Sequence, residues 1–295
     1  MFAERAGAGN PLGVVFGADA WTGAEMQQFA AWTNLVETTF VLAPTQVAAS
    51  YRLRIFTPGK EIPFAGHPTV GSAHAVLEIG RVAPRDGVLL QECAAGLLPI
   101  CVEGEGARRK LYVQAPVARI LREGTDDTNL HQVLGDVPLG ALPPAFVEGG
   151  RRWWVAEFAD EASLRGWRPD HASIAALAHA SDSLGLCAFA RAEHAAHATT
   201  HTGSCYELVV RAFPAGVGIV EDPASGAANG LIAAVIAQRE PQSALARGYR
   251  VSQGREIGHD ASIVIRINAD ATIWVGGSTH TIIDGTILRR IGSAG

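Results

Sequence analysis

One acidic side chain stands among apolar neighbours near the start of the chain. Glu37 follows Leu35 and Val36 and is soon followed by the apolar run 40–42. Burial among such residues disfavours a charged carboxylate. It would raise the pKa of Glu37 from about 4.3 toward neutrality, where a general acid–base works best. An exposed residue at the start of a strand would show the same local pattern, so both interpretations of Glu37 stay open.

The segment 64–71 places a histidine where a helix should begin. Gly66 lets other groups approach the backbone closely, and Pro68 favours the first helical turn. The unpaired amides of a helix start, helped by the helix dipole, bind anions. His67 can bind a ligand or another site residue there, and the alternative is a helix-capping or hydrogen-bonded buried histidine.

The segment 220–230 repeats this design in the second half of the chain. Asp222 precedes Ser225, Gly226 and Ala227, whose small side chains let a ligand reach the backbone amides of the helix that follows. Asp222 can also serve as a plain N-cap, a role that is compatible with catalysis. A small carboxylate held between the two helix starts would meet the polar candidates Glu37, His67 and Asp222.

Four segments have the patterns of helices that would position these residues. The first begins at a capping box over 22–25, and the second spans 68–79 between a proline and a glycine. The third covers about 171–181. The fourth, about 225–238, is apolar on all sides, which predicts a buried central helix.

Short runs of alternating or β-branched residues predict strands between these helices. They do not alternate with helices as βαβ units, which favours an α+β fold. The second and fourth helical segments lie one in each half, which fits two similar lobes, each a sheet wrapped round a central helix. Asp284-Gly285 predicts a hairpin turn within 281–289. The predicted strands are 51–56, 111–114, 153–158, 186–191, 206–213, 262–267 and 272–275.

The composition limits the class of protein and partner. The 295 residues are 48% hydrophobic, enough for about two domains. A net charge of −5 argues against nucleic acid as a partner. We expect a cytoplasmic protein, because no apolar run could span a membrane and no signal peptide is evident. The four cysteines form no C-x-x-C pair, and no cluster has metal-ligand spacing, so we predict reduced, mostly buried thiols and no metal.

Several blocks of the sequence closely resemble the PhzF-like family of phenazine biosynthesis, and they keep the family's order over nearly the whole chain. Their combination is far more specific than any single block. The matching blocks are Gly9-Asn10-Pro11-Leu12, 37–41, 54–59, 61–71, 211–214, 221–228, Gln253-Gly254 and Val275-Gly276-Gly277.

This resemblance implies a diaminopimelate-epimerase-like fold of two lobes. Prolines mark two candidate boundaries, near Pro116 and at Pro138–Pro144, and we predict lobes 1–117 and 118–280, the first completed by about 281–295. It implies an active site between the lobes, a homodimer, and isomerisation of a small carboxylate without metal or organic cofactor. The founding activity moves a proton along the ring of trans-2,3-dihydro-3-hydroxyanthranilate. By this match Glu37 carries the proton, while His67 and Asp222 bind and orient the substrate. The predicted substrate-binding positions are Gly66, Ser225, Gly226 and Ala227.

Three positions depart from the family's pattern. Val36 stands where a serine often precedes the glutamate, Ala227 replaces a serine hydroxyl, and His259 stands where we expect an arginine. The first two departures are compatible with acid–base chemistry and leave the substrate open. Two other functions are therefore kept as alternatives: an amino-acid racemase or epimerase of the same fold, and a metabolite-binding protein without turnover.

Overall fold

A continuous hydrogen-bonded array of strands runs through both halves of the chain. The computed structural model describes residues 1–192 and 205–288. The helices there are α1 (Gly23–Thr33), α2 (Gly66–Glu78), α3 (Thr128–Leu134), α4 (Glu161–Gly166), α5 (His171–Ala180) and α6 (Gly226–Arg239). The strands there are β1 (Gly13–Phe16), β2 (Thr38–Leu42), β3 (Tyr51–Phe56), β4 (Glu61–Ile62), β5 (Val88–Cys93), β6 (Gly96–Glu103), β7 (Lys110–Gln114), β8 (Arg119–Glu123), β9 (Ala145–Gly149), β10 (Arg151–Glu157), β11 (Leu186–Arg191), β12 (Leu208–Phe213), β13 (Gly248–Gln253), β14 (Ala261–Ile267) and β15 (Ile273–Gly277).

The array has two parts that follow each other along the chain and meet at one strand pair. β1 to β7 form the first part and β8 to β15 the second; the antiparallel pair β7–β15 joins them, with Val113 opposite Val275. α2 packs on β1, β2, β3 and β7, whereas α6 packs on β8 to β11, β14 and β15. The predicted α+β fold, with a sheet around a central helix in each lobe, is therefore confirmed. The lobe boundary predicted at 117/118 falls between β7 and β8 and stays a prediction.

The four predicted helices correspond to α1, α2, α5 and α6. The capping box of α1 is present, since Thr22 Oγ1 accepts from Glu25 N at 3.3 Å and Glu25 Oε2 accepts from Thr22 N at 2.7 Å. α2 begins two residues before the predicted start at Pro68. A proline is tolerated there because the first N–H groups of a helix have no partner within it. The early start puts Gly66 and His67 inside the first turn.

The predicted strands all coincide with strands of the structure, with ends that differ by no more than two residues. The hairpin predicted within 281–289 is wrong for residues 281–288, which form no strand, and residue 289 lies outside the described residues. Ile283 is 87% exposed and Leu288 is 94% exposed in this segment. A turn motif forms a stable hairpin only when its strands have a face to bury.

One hydrophobic core contains residues from both central helices. Val70 and Val76 of α2 belong to it together with Ile232 and Ile236 of α6, and all four are 0% exposed. Strands cover α6 on several sides, which explains why its sequence is apolar all round. None of the helices in the described ranges is both long and apolar enough to cross a membrane.

The four cysteines are free, but they are not mostly buried as the sequence suggests. Cys187 on β11 is buried, Cys93 and Cys101 are half-buried at the ends of β5 and β6, and Cys205 is exposed. Strands β5 and β6 expose part of their length to solvent, so a strand-like context does not guarantee burial.

Candidate active site

The starts of α2 and α6 meet between the two parts of the sheet. A Cβ built on Gly66 would lie 3.7 Å from the Gly226 Cα, and one built on Gly226 would lie 3.7 Å from the Gly66 Cα. Two glycines at this contact let the helix backbones approach with no side chain between them. The helix starts are thus brought together from opposite halves of the chain.

The first amides of both helices are available to bind an anion. The N-cap of α2 is Ala65, which provides no side-chain hydrogen bond, and the N-cap of α6 is Ser225, whose Oγ accepts from Ala228 N at 3.4 Å. Unpaired amides at a helix start bind negative groups, and the helix dipole favours them. Among the described residues, no acceptor is found for the backbone N–H groups of Gly66, His67, Gly226 and Ala227.

A buried acid and a buried histidine form a pair beside these amides. Glu37, directly before β2, is 8% exposed, and His67, in the first turn of α2, is 6% exposed. Glu37 Oε2 and His67 Nε2 lie 3.1 Å apart, yet neither atom makes a well-oriented hydrogen bond within the described residues. The alternatives of an exposed Glu37 and a capping His67 are therefore wrong. The pair has bonding capacity left for a ligand.

Asp222 lies on the loop between β12 and α6. Its N–H donates to Ala212 O at 2.8 Å, and its Oδ1 accepts from Asn10 Nδ2 at 2.8 Å and from Ala224 N at 3.2 Å. Because Ser225 is the N-cap of α6, Asp222 is not a plain N-cap.

The electrostatic surroundings of Asp222 link it to the buried pair. Burial raises the pKa of Asp222 above its ordinary value; the His67 ring opposes this, and the Glu37 carboxylate adds to it. Asp222, His67 and Glu37 are therefore within electrostatic reach of one another. A carboxyl group with a raised pKa keeps its proton to higher pH, which suits a group that exchanges protons.

The remaining predicted binding positions differ in what they offer. Gly66 and Gly226 form the contact between the helices. Ser225 is buried; its Oγ accepts the helix-cap hydrogen bond, and its hydroxyl donates to the Asp222 carboxylate. Ala227 is exposed and contributes its backbone amide.

Two further residues that contact the Asp222 loop escape prediction from local sequence patterns. Gln253 on β13 donates from Nε2 to Asp222 O at 2.8 Å, and its Oε1 accepts from Ser225 N at 3.2 Å. Asn10 binds the Asp222 carboxylate. Both lie in blocks that resemble the family, but only the fold brings them to Asp222. His259 is bonded to the Gly9 backbone, with Nδ1 2.8 Å from Gly9 O.

Comparisons of sequence show the family of the chain. A family model described as phenazine biosynthesis-like protein, PhzC-PhzF, matches residues 1–285. Antisense-enhancing sequence 1 of Schizosaccharomyces pombe is 33% identical over 97% of this chain and 95% of its own length. Trans-2,3-dihydro-3-hydroxyanthranilate isomerase of Pseudomonas aeruginosa is 32% identical over 90% of this chain and 87% of its own length.

Solved structures share the fold. A PhzF-family protein from Bacillus anthracis has a TM-score of 0.78 at 24% identity, covering 94% of this chain and 93% of its own. A probable proline racemase from Agrobacterium radiobacter has a TM-score of 0.53 at 14% identity, covering 90% of this chain and 83% of its own. The chain belongs to the phenazine biosynthesis-like PhzC-PhzF family and is an isomerase on that family's epimerase-like fold.

Proposed function

We propose that this isomerase moves a proton between two carbon atoms of a small carboxylate metabolite, with Glu37 as the proton carrier. The observation that carries the proposal is the buried Glu37–His67 pair, whose facing atoms are 3.1 Å apart and lack well-oriented hydrogen bonds. Buried polar atoms without a well-oriented hydrogen bond are rare and call for a ligand or a catalytic role. Both atoms lie at the point where α2 begins.

The substrate carboxylate binds at the paired helix starts. The free amides of Gly66 and His67 on one side, and of Gly226 and Ala227 on the other, donate to its oxygens. A carboxylate fixed in this way leaves only limited freedom to the carbon atoms next to it. Holding a reacting carbon near the Glu37 carboxylate lowers the entropic part of the barrier.

The proton transfer conserves atoms and charge. Ionised Glu37 takes a proton from one substrate carbon, and the electron pair of the C–H bond moves into the conjugated system that includes the substrate carboxylate. Protonated Glu37 then returns the proton to a different carbon of that system. His67 and Asp222 bind and orient the substrate.

The substrate class is a small unsaturated carboxylate. Trans-2,3-dihydro-3-hydroxyanthranilate, the compound named for the Pseudomonas aeruginosa relative, has this chemistry and is a suitable first probe. Val36 and Ala227 remove hydroxyl groups that the family often has near the site, so we expect a ligand that makes fewer hydrogen bonds there. Mass spectrometry of small molecules retained by the purified protein would supply the second probe.

The test replaces the carrier without changing its shape. Glu37→Gln removes basicity, so we expect normal folding and ligand binding but at least about a 10²-fold lower rate of deuterium uptake from heavy water into the probe. Glu92→Gln is the matched control, because Glu92 is another carboxylate with 7% exposure, and it accepts from the backbone of Thr45 and Gln46 in the segment between β2 and β3. It should take up deuterium at the parent rate.

Each outcome of this test separates the alternatives. Equal deuterium uptake by the parent and Glu37→Gln would remove Glu37 from the role of proton carrier. A parent protein that binds its retained ligand but exchanges no deuterium into it would be a metabolite-binding protein without turnover. A cysteine-based racemase has little support, since burial raises the pKa of the Cys187 thiol well above its ordinary value and no described cysteine stands at either helix start.

A further inference from the structure

A buried asparagine from the first half of the chain binds the Asp222 carboxylate. Asn10 is 0% exposed, and its Nδ2 donates to Asp222 Oδ1 at 2.8 Å and to Ala224 O at 3.0 Å. Both partners are acceptors, so the nitrogen of the Asn10 amide must face them. Asn10 Oδ1 has no hydrogen bond within the described residues. The side chain is therefore committed to the Asp222 loop.

The backbone just before Asn10 is held in place. Gly9 N donates to His259 O at 2.7 Å, and the ring Nδ1 of His259 lies 2.8 Å from Gly9 O. Two hydrogen bonds thus connect the segment before Asn10 to the loop that follows β13 in the second half. An amide group fixed at its backbone presents its N–H at a constant position, which is the requirement for a group that orients another side chain.

The other groups near Asp222 differ from Asn10 in where they lie or in how they act on the carboxylate. Ala224 N donates to the same oxygen from within the same loop, at 3.2 Å. The Ser225 side chain hydrogen-bonds Asp222 from the start of α6, within the same loop. His67 at the start of α2 and Glu37 before β2 act on it electrostatically, and Asp222 acts in the same way on the buried Cys187 thiol of β11. Asn10 supplies a donor from a separate part of the chain.

We infer that Asn10 is a positioning residue for Asp222, because its amide holds the carboxylate toward His67 and Glu37 and favours its ionised form. A hydrogen bond donated to a carboxylate stabilises the charged state. The catalytic meaning of this inference rests on the proposed function, in which Asp222 orients the substrate. The physical interaction between Asn10 and Asp222 does not depend on that function.

The test measures the pKa of Asp222 directly. The protein is labelled with aspartate carrying carbon-13 in its side-chain carboxyl group, and the Asp222 signal is identified by its loss in Asp222→Asn. We expect the pKa of Asp222 to rise by about one unit in Asn10→Ala, since one charge-assisted hydrogen bond is removed. With an active probe, the acid limb of the pH–rate profile should move upward by the same amount.

Asn229→Ala is the matched control. Asn229 is also 0% exposed, its Nδ2 donates to Ser225 O and Gln253 Oε1 at 2.8 Å each, and its Oδ1 also lacks a hydrogen bond. It therefore holds the same loop without contacting the Asp222 carboxylate. Asn229→Ala should lower stability and leave the pKa of Asp222 unchanged. If the role of Asn10 were merely structural, Asn10→Ala would likewise lower stability without changing the pKa of Asp222.

A near-isosteric variant covers the case in which Asn10→Ala does not fold. Asn10→Asp places a second carboxyl group against Asp222, so the two groups should share a proton and titrate in two coupled steps. A folded Asn10→Ala with an unchanged pKa of Asp222, or a single-step titration at the parent pH in Asn10→Asp, would overturn the inference. A shifted pKa in a protein whose parent form exchanges no deuterium would keep the positioning role and reject the proposed function.

Discussion

The Asp222 carboxyl group has opposite effects on stability and on the proposed chemistry. Burial raises its pKa above the ordinary value, so the folded protein binds this proton more tightly than the unfolded chain does. The contribution of Asp222 to stability is therefore fully present below the unfolded pKa, about 3.9, and is lost as the pH rises through the folded pKa. Above the folded pKa this contribution is absent.

Asp222→Asn should consequently stabilise the protein at neutral pH while weakening ligand binding and rate. The asparagine Oδ1 can still accept from Asn10 and Ala224, so the packing is kept and the buried charge is removed. The gain should be near zero at about pH 3.5 and grow above it, by about 1.4 kcal/mol for each unit by which the pKa is raised. Urea unfolding at several pH values measures this.

Asp170→Asn provides a control of opposite sign. Asp170 is the N-cap of α5, and hydrogen bonds from Ser173 and the backbone lower its pKa, so its ionised form stabilises the fold at neutral pH. Loss of that charge should lower stability above about pH 4, where the unfolded carboxyl group ionises. If Asp222→Asn also lost stability at neutral pH, the carboxylate of Asp222 would be well solvated or well paired.

Individual site residues could be predicted from the sequence to different extents. Glu37, His67 and Asp222 stand out because an acid in an apolar run and a polar residue before a helix are local patterns. The burial of Glu37 and its distance from His67 could not be predicted, since they depend on β2 lying beside α2. Nothing local marks Asn10, whose partners lie more than 200 positions away.

At the scale of elements, the loop before α6 rests on a tight turn after β13. Gly254 and Gly258 flank this turn and both have positive φ, +79° and +82°. A Cβ on Gly254 would overlap the carbonyl oxygen of Pro223, in the middle of the loop that carries Asp222, whereas a Cβ on Gly258 would meet nothing within 4 Å. An alanine at Gly258 would therefore introduce backbone strain alone, whereas an alanine at Gly254 would introduce the same strain and also push against the Asp222 loop.

Alanine at these two positions should have different effects on activity. Gly258→Ala places an L-residue in the left-handed region, which costs about 1–2 kcal/mol, and it should leave the rate of deuterium exchange unchanged. Gly254→Ala adds a clash worth roughly a further 1–3 kcal/mol and should move the Asp222 loop, lowering activity as well. Thermal unfolding and the exchange assay measure the two effects. Equal activity in the two variants would show that the loop tolerates the displacement.

Helices could be predicted from the sequence where their own residues carry a clear signal, such as a long apolar run or a capping motif. The apolar α6 and the capping box of α1 are such cases. α3 and α4 are only 7 and 6 residues long, so their apolar periodicity is too brief to detect, although Asp127 and Asp160 cap them. The start of α2 could not be placed, because unpaired N–H groups let Pro68 occupy any position in the first turn.

At the scale of the molecule, the two lobes share their interior. Val41 on β2 and Phe189 on β11 belong to one hydrophobic core together with Ile232 of α6, and the β7–β15 pair continues the hydrogen bonding between the parts. An active site built from both halves needs such a connection, because a shift of one helix start relative to the other would separate Glu37 from Asp222. The homodimer and the cytoplasmic location remain predictions.

The shared core predicts that the two lobes unfold together. Ile232 is 0% exposed, and Ile232→Ala should cost about 2–5 kcal/mol through lost burial and the remaining cavity. If the lobes are coupled, this loss should appear equally in both, although Ile232 lies in the second. Hydrogen exchange followed by mass spectrometry in increasing urea would compare peptides from β2 and β11. An equal drop in their opening free energies is expected, because the strands of each lobe lose the same packed partner. A drop confined to the β11 peptide would mean that the lobes unfold independently and that the site is held together by the helix contact alone.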